Sequence, residues 1–170
     1  MNIADSNTLH DCTSCQMCAA VCPTGAISIA LDSNGFYRPT VDATKCVDCS
    51  LCTSVCYKYD RNVLESDSLD NETIYGAKAL DSELVEATTS GGIADVLARS
   101  LIKQGYKCIG VCYDTERAVA YHAVALTENE TVGFRGSKYI QSYTFEAFKQ
   151  LVANCKKERF AIFGLPCQVY

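Results

Sequence analysis

Apolar and polar positions alternate with a period of two along Ala26-Ile27-Ser28-Ile29-Ala30-Leu31, which predicts a strand covered on one face. Asn34-Gly35 follows as a tight-turn signal, and Phe36 to Val41 returns as the second strand of a hairpin. Pro39 restricts that strand to an edge. Residues 61–73 are polar and acidic and read as a solvated connector. Beyond them the pattern changes. Ile74-Tyr75-Gly76-Ala77 predicts a short strand, and Asp81 caps a helical turn through Leu84, Val85 and Ala87. Ile93, Val96, Leu97, Ser100 and Leu101 share one face of a helix that Gly105 ends. Tyr106 to Tyr113 is a strand, with Ala118 to Leu126 as its antiparallel neighbour. A second helix starts at Thr144 and sets Phe145, Phe148, Leu151, Val152 and Cys155 on one face. Arg159 to Phe163 is a last strand.

The cysteines add chemistry to that outline. Eight of the twelve fall in two identical settings, Cys12, Cys15, Cys18, Cys22 and Cys46, Cys49, Cys52, Cys56, each second-set residue 34 positions after its counterpart. This is an internal repeat. Three thiolates at intervals of three positions suit three irons of a 4Fe–4S cubane, and the fourth, four positions on, ligates the neighbouring cluster. One cluster then takes Cys12, Cys15, Cys18 and Cys56, the other Cys46, Cys49, Cys52 and Cys22. Pro23 completes the first motif; Tyr57 stands where a second proline would, which leaves the ligands intact and loosens the loop. Zinc would use paired C-x-x-C knuckles instead. Disulfides would need an oxidising compartment, and Met1 to Asp11 carries neither the basic start nor the apolar core of a secretory signal. A cytoplasmic chain is expected. Cys108, Cys112 and Cys155 read as small core hydrophobes.

Charge narrows the partners. The formal net charge is −5, and two clusters at about −2 each would bring it to about −9. Nucleic acid and anionic membrane surfaces are thereby disfavoured. No apolar run approaches the ~18 residues of a membrane span.

Three loops remain. Ser90-Gly91-Gly92 stands at a helix N-terminus, where amides favour an anion, although such a turn is often only a cap. Gly136-Ser137-Lys138-Tyr139 offers a cation, a hydroxyl and an aromatic face, or else a solvated lysine beside a half-buried tyrosine. Gly164-Leu165-Pro166-Cys167-Gln168 follows an apolar strand, where open α/β sheets bind ligands; Cys167 there could equally be buried filler.

Residues 1–60 resemble bacterial two-cluster ferredoxins, which implies single-electron transfer between neighbouring clusters. Thr89-Ser90-Gly91-Gly92, Gly136-Ser137-Lys138-Tyr139 and Pro166-Cys167-Gln168, in this order, resemble the family of coenzyme F420 hydrogenase and dehydrogenase β subunits. That resemblance covers about residues 73–170. It implies an iron–sulfur flavoprotein oxidoreductase in which FAD exchanges electrons with the clusters and with a small-molecule acceptor, coenzyme F420 in several members, alongside a redox partner protein or subunit. Ser90, Gly91 and Gly92 would approach the flavin, Gly136, Ser137, Lys138 and Tyr139 would hold it, and Pro166, Cys167 and Gln168 would shape its pocket. No catalytic acid or base is identifiable. Family members continue well past the Pro-Cys-Gln loop, so the chain is expected to be an incomplete member.

The expected fold is α+β: a two-cluster ferredoxin-type domain over 1–60, a linker over 61–73, and from 74 to 170 the first part of a mixed α/β flavin-binding domain. The competing function is a non-catalytic electron carrier whose C-terminal region serves for docking.

Overall fold

The computed structural model describes residues 1–5, 12–59 and 73–169. The expected connector therefore lies outside the described residues, apart from Thr73. The hairpin forms as its alternation predicts: β1 (Ile27–Leu31) pairs antiparallel with β2 (Tyr37–Val41), Ile29 opposite Pro39. In a two-stranded sheet both strands are edges, so the missing proline N–H disturbs no further ladder. Asp32 closes the turn, its Oδ1 accepting from the amides of Asn34 and Phe36 at 2.9 Å each. Each cysteine loop runs into one helical turn, α1 (Met17–Ala20) and α2 (Leu51–Ser54).

The rest is a four-stranded mixed sheet between helices. Asp81 caps α3 (Ser82–Glu86) by accepting from the amides of Glu83 and Leu84, and Ser90–Gly92 form a 3-10 turn leading into α4 (Ile93–Lys103). β3 (Tyr106–Asp114) pairs antiparallel with β4 (Val119–Ala125), as the apolar runs predict. A 3-10 turn (Glu130–Phe134) precedes β5 (Ser142–Tyr143), α5 (Phe145–Asn154), β6 (Arg159–Ile162) and the turn α6 (Pro166–Val169). The strand order is β5-β4-β3-β6, with β6 parallel to β3 and β5 parallel to β4.

On one side of the sheet Cys108 and Ala125 pack on Ala98 of α4, with Phe134 and Phe163 around them. Gly110 lets the Phe134 ring lie on the strand: a Cβ there would stand 2.5 Å from the ring. On the other side Ile109, Ala147 and Phe148 form a core that also takes in Ala20 and Met17 of α1. Full burial of a side chain such as Phe148 stabilises by about 1.5–3 kcal/mol. The first cysteine loop is thus packed directly on the mixed sheet's helix.

Three expectations are corrected. Residues 74–77 form no strand: Ile74 and Tyr75 are 93% and 82% exposed, and no described strand lies alongside to pair with them. On α4, Val96 and Leu97 face outward while Asp95 and Ala98 are buried. The charge on Asp95 tolerates this because Arg99 and Arg135 pair with it, at 2.7 and 3.3 Å. On α5 the packed residues are Phe145, Ala147, Phe148 and Leu151. Val152 and Cys155 are exposed, Cys155 being the C-cap beyond the packed stretch. Cys108 is fully buried as expected, and Cys112 is half-buried.

Candidate cluster cages and an adjoining cleft

The two cysteine loops repeat in backbone as well as in sequence. Ser14 and Gln16 hold φ of 61° and 65°, and their counterparts Asp48 and Ser50 hold 49° and 63°. Left-handed backbone is uncommon for residues other than glycine, and four such residues at matched positions mark a loop curled for a purpose. Loops of this kind make amide-lined hollows that suit the negative charge of iron–sulfur centres. One amide already reaches sulfur: Ser14 N donates to Cys12 Sγ at 3.4 Å.

Each loop wraps a cavity completed by the other repeat. Cys12, Cys15, Cys18 and Cys56 line one, closed by apolar groups that include Ile3, Ile29, Val55 and Tyr59. Cys46, Cys49, Cys52 and Cys22 line the other, beside Ile27, Val47 and Leu51. The donors are all sulfur and stand around a space. Among the described residues no three His, Cys, Asp or Glu side chains converge to hold a single metal ion.

Three thiols of the first cage, Cys15, Cys18 and Cys56, hold their protons tightly. Burial pushes the Cys15 thiol up to about 11, the Met17 amide opposing and Cys56, Cys167 and Cys12 adding repulsion. Burial likewise drives Cys18 far upward, reinforced by Cys15, Cys12 and Cys56, and raises Cys56. Cys22 differs: its slight burial is outweighed by the Thr24 hydroxyl and the amides of Ala26, Thr24 and Ile27, and its thiol titrates lower than usual. Thiols crowded in an apolar cage ionise when cationic iron arrives to compensate them. The donor set, its spacing and its surroundings fit a 4Fe–4S cluster in each cage.

The three loops meet in one place. Parallel pairing of β6 with β3 ends at Ile109 and Ile162, with a last bond from Phe163 N to the Ile109 carbonyl at 2.8 Å. The β6 chain then turns away at Gly164. The space left at this strand's carboxyl end, beside Gly110 and Val111, is a cleft of the kind open sheets use for ligands. Its smaller part, about 200 Å³, is lined by Thr88, Thr89, Gly92, Asp95, Arg135, Gly136 and Ser137. Its larger part, about 380 Å³, is lined by Ser137, Lys138, Tyr139, Cys167 and Gln168 together with His122, Thr13 and Ser14. Val111, Ser137 and Phe163 line both. Of the residues singled out in the sequence, Ser90, Gly91 and Pro166 stand outside the lining of both parts.

Thr13 and Ser14 also line the first cysteine cage, so cage and cleft share a wall. On that side Cys167 lies near enough to Cys15 for the two thiolates to repel. The Lys138 ammonium donates to the carbonyls of Gly133 and Arg135, at 3.1 and 2.6 Å, so much of its charge serves its own loop. Burial lowers its pKa, against the opposing effect of Cys112. Tyr139 is 94% exposed and offers a free aromatic face. Gln168 closes the last turn, its Oε1 accepting from Leu165 N at 2.8 Å.

Sequence reasoning missed Gln16, Arg135 and His122. Arg135 immediately precedes the Gly136-Ser137-Lys138-Tyr139 loop and was a readable cation. Gln16 and His122 carried no local signal, since their roles depend on residues remote in the chain.

Residues 11–58 match the family model described as a 4Fe-4S dicluster domain; the N-terminal region is of ferredoxin type and the whole described chain is mixed α/β. The chain is also 28% identical, over 170 aligned residues, to a subunit of the F(420)H(2) dehydrogenase of Methanosarcina mazei. That match covers 95% of this chain and 47% of the relative, so the chain spans about half the relative's length. A shorter match, 35% identical over 68 residues, joins 40% of the chain to 24% of the Rpo3 subunit of the DNA-directed RNA polymerase of Methanosarcina acetivorans. The chain is an iron–sulfur electron-transfer protein related to an F(420)H(2) dehydrogenase subunit. No helix among the described residues is long and apolar enough to cross a membrane.

Proposed function

We propose that this chain is the cluster-bearing part of an iron–sulfur flavoprotein oxidoreductase of the coenzyme F420 hydrogenase/dehydrogenase β subunit type. A ferredoxin-type unit over residues 1–60 holds one 4Fe–4S cluster on Cys12, Cys15, Cys18 and Cys56 and the other on Cys46, Cys49, Cys52 and Cys22. The unit from residue 74 onward holds FAD in the cleft, with Gly92, Gly136, Ser137, Lys138, Tyr139, Cys167 and Gln168 around it and Ser90, Gly91 and Pro166 shaping the loops. A flavin there supplies the exchange between one-electron carriers and a two-electron acceptor. The acceptor is coenzyme F420 or another small molecule, and the outer cluster takes electrons from, or passes them to, a partner protein.

One observation carries this reading: the cleft and the first cysteine cage share Thr13 and Ser14 as a common wall. A cofactor in the cleft would lie against the cluster loop, the short separation electron transfer needs. The two cages also differ in exposure. The Gln16 loop is buried against the mixed sheet, whereas Cys49 and Val47 of the second loop are exposed, open to an outside carrier.

Anaerobic purification followed by iron analysis, a visible spectrum and acceptor assays tests the reading. About eight irons per chain, structured flavin bands and reduction of coenzyme F420 or a competing acceptor are expected. Full iron with no flavin uptake would leave a ferredoxin-like carrier and remove the oxidoreductase. Bound zinc, or little iron, would overturn both.

A further inference from the structure

His122 is the buried polar side chain that the described structure leaves without a partner. It sits on β4 opposite Val111 and is 5% exposed. Among the described residues, four buried side-chain nitrogens and oxygens lack a hydrogen bond. Two of them, Arg99 Nε and Glu158 Oε2, are held in ion pairs with Asp95 and Lys107. The remaining two are both ring nitrogens of His122. Other buried polar side chains contrast with it: Gln16, Thr131 and Thr144 all reach partners. A buried nitrogen left unpaired carries its whole desolvation penalty, and such groups cluster where a ligand completes the bonding.

The position of the ring says where that ligand lies. His122 lines the larger part of the cleft together with Thr13 and Ser14, which also line the first cage, and with Cys167 and Gln168. Phe148 packs against the ring at 5.9 Å, tilted by 58°. Lys138 is the one cation lining that part of the cleft, and no carboxylate lines it among the described residues.

We propose that His122 is a ligand-contacting residue, hydrogen-bonding through its imidazole to the polar edge of a planar heteroaromatic ring bound against the first cluster loop. This rests on the flavin reading of the cleft and names the side chain that reads the ring. Burial holds the imidazole neutral, with its pKa down at about 4, so one nitrogen donates while the other accepts. A flavin-type edge, alternating carbonyl oxygens with ring nitrogens, matches either face of that pair. A nonpolar ring of similar size would gain nothing from it.

The test compares wild type with His122→Phe and His122→Gln in the anaerobically prepared, cluster-loaded protein, using FAD as probe. Iron content should be equal in all three. His122→Phe should bind FAD at least tenfold more weakly, while His122→Gln, which keeps a donor and an acceptor, should stay within about threefold. In the absence of FAD, His122→Phe should melt no lower than wild type, because an apolar ring replaces an unpaired polar one. Equal FAD affinity in wild type and His122→Phe would overturn the inference and leave the flavin reading standing. A lower melting temperature for His122→Phe with unchanged FAD affinity would assign His122 a structural bond inside the protein. If wild type itself takes up no FAD, the flavin reading fails, and this assignment with it.

Discussion

Gln16 and Thr144 meet across 128 positions of sequence: Gln16 Oε1 accepts from Thr144 N at 2.9 Å, and Thr144 Oγ1 donates to the neighbouring Cys15 carbonyl at 2.6 Å. Gln16 Oε1 also accepts from Phe145 N at 2.9 Å, and its Nε2 donates to the Ser142 carbonyl at 3.3 Å. Both side chains are buried. Thr144 is the N-cap of α5, yet its own side chain makes no capping bond. The first amides of that helix are satisfied instead by a residue of the cluster loop.

Replacing Gln16 by Leu should therefore destabilise the mixed sheet and its helix by about 2–3 kcal/mol, combining a lost cap with buried amides left unpaired. Anaerobic urea denaturation followed by circular dichroism measures it. Ser50 occupies the equivalent place in the second loop, where its hydroxyl donates to the exposed Met1 carbonyl. Ser50→Ala should cost well under 1 kcal/mol, and an equal loss at the two positions would contradict the asymmetry.

The crossed cages separate the two clusters by single substitutions. Cys56→Ala should disrupt the cluster of Cys12, Cys15 and Cys18, and Cys22→Ala that of Cys46, Cys49 and Cys52. Iron should fall from about eight toward about four per chain in each case, or a three-iron signal should appear by electron paramagnetic resonance. Only Cys56→Ala removes the cluster that borders the cleft, so it should abolish reduction of a flavin by an outside donor even where iron loss is equal.

Acid should weaken the fold through His122. Its folded pKa is about 4 against an ordinary 6.5, so the unfolded chain binds the proton first. The stability of the neutral, buried ring is complete above about pH 6.5 and is lost as pH falls toward 4. From pH 7 to pH 5, wild type should lose about 1–2 kcal/mol more than His122→Phe, read from urea midpoints at each pH. Parallel pH profiles for the two proteins would refute a depressed pKa.

Asp95 should tolerate substitution poorly despite lying one position from the surface-facing Val96. Its carboxylate compensates Arg99 and Arg135 and accepts from the Thr131 hydroxyl at 3.4 Å. Asp95→Ala strands two half-buried guanidinium groups and should cost about 2–4 kcal/mol, measured by denaturant titration. FAD affinity should fall as well, since Arg135 lines the cleft.

Asp95 also shows where reading the chain falls short. A helical wheel places a carboxylate outward, and the inward position is tolerable because Arg135, forty residues later, joins Arg99 of the next turn in pairing with it. Val96 and Leu97 then turn outward although their pattern predicts the reverse. Ile74-Tyr75-Gly76-Ala77 has strand composition, but a strand exists only where a neighbour offers a ladder. The three candidate loops were legible one by one from their glycines, lysine and cysteine. Their convergence on the carboxyl end of β6 was not.

What the sequence by itself determined is the set of features carried by neighbours in the chain. These are the dicluster repeat with its cysteine spacing, the hairpin around Asn34-Gly35, the Asp81 cap and the antiparallel pair β3–β4, all legible because period, turn chemistry and ligand spacing act within a few residues. Tertiary structure alone decided which helix faces are buried, how the Gln16 loop docks on Thr144, that the first cage shares a wall with the cleft, and that His122 faces into it. Those outcomes depend on charge compensation, hydrogen bonding and packing between residues up to 129 positions apart, and no local pattern encodes such pairings.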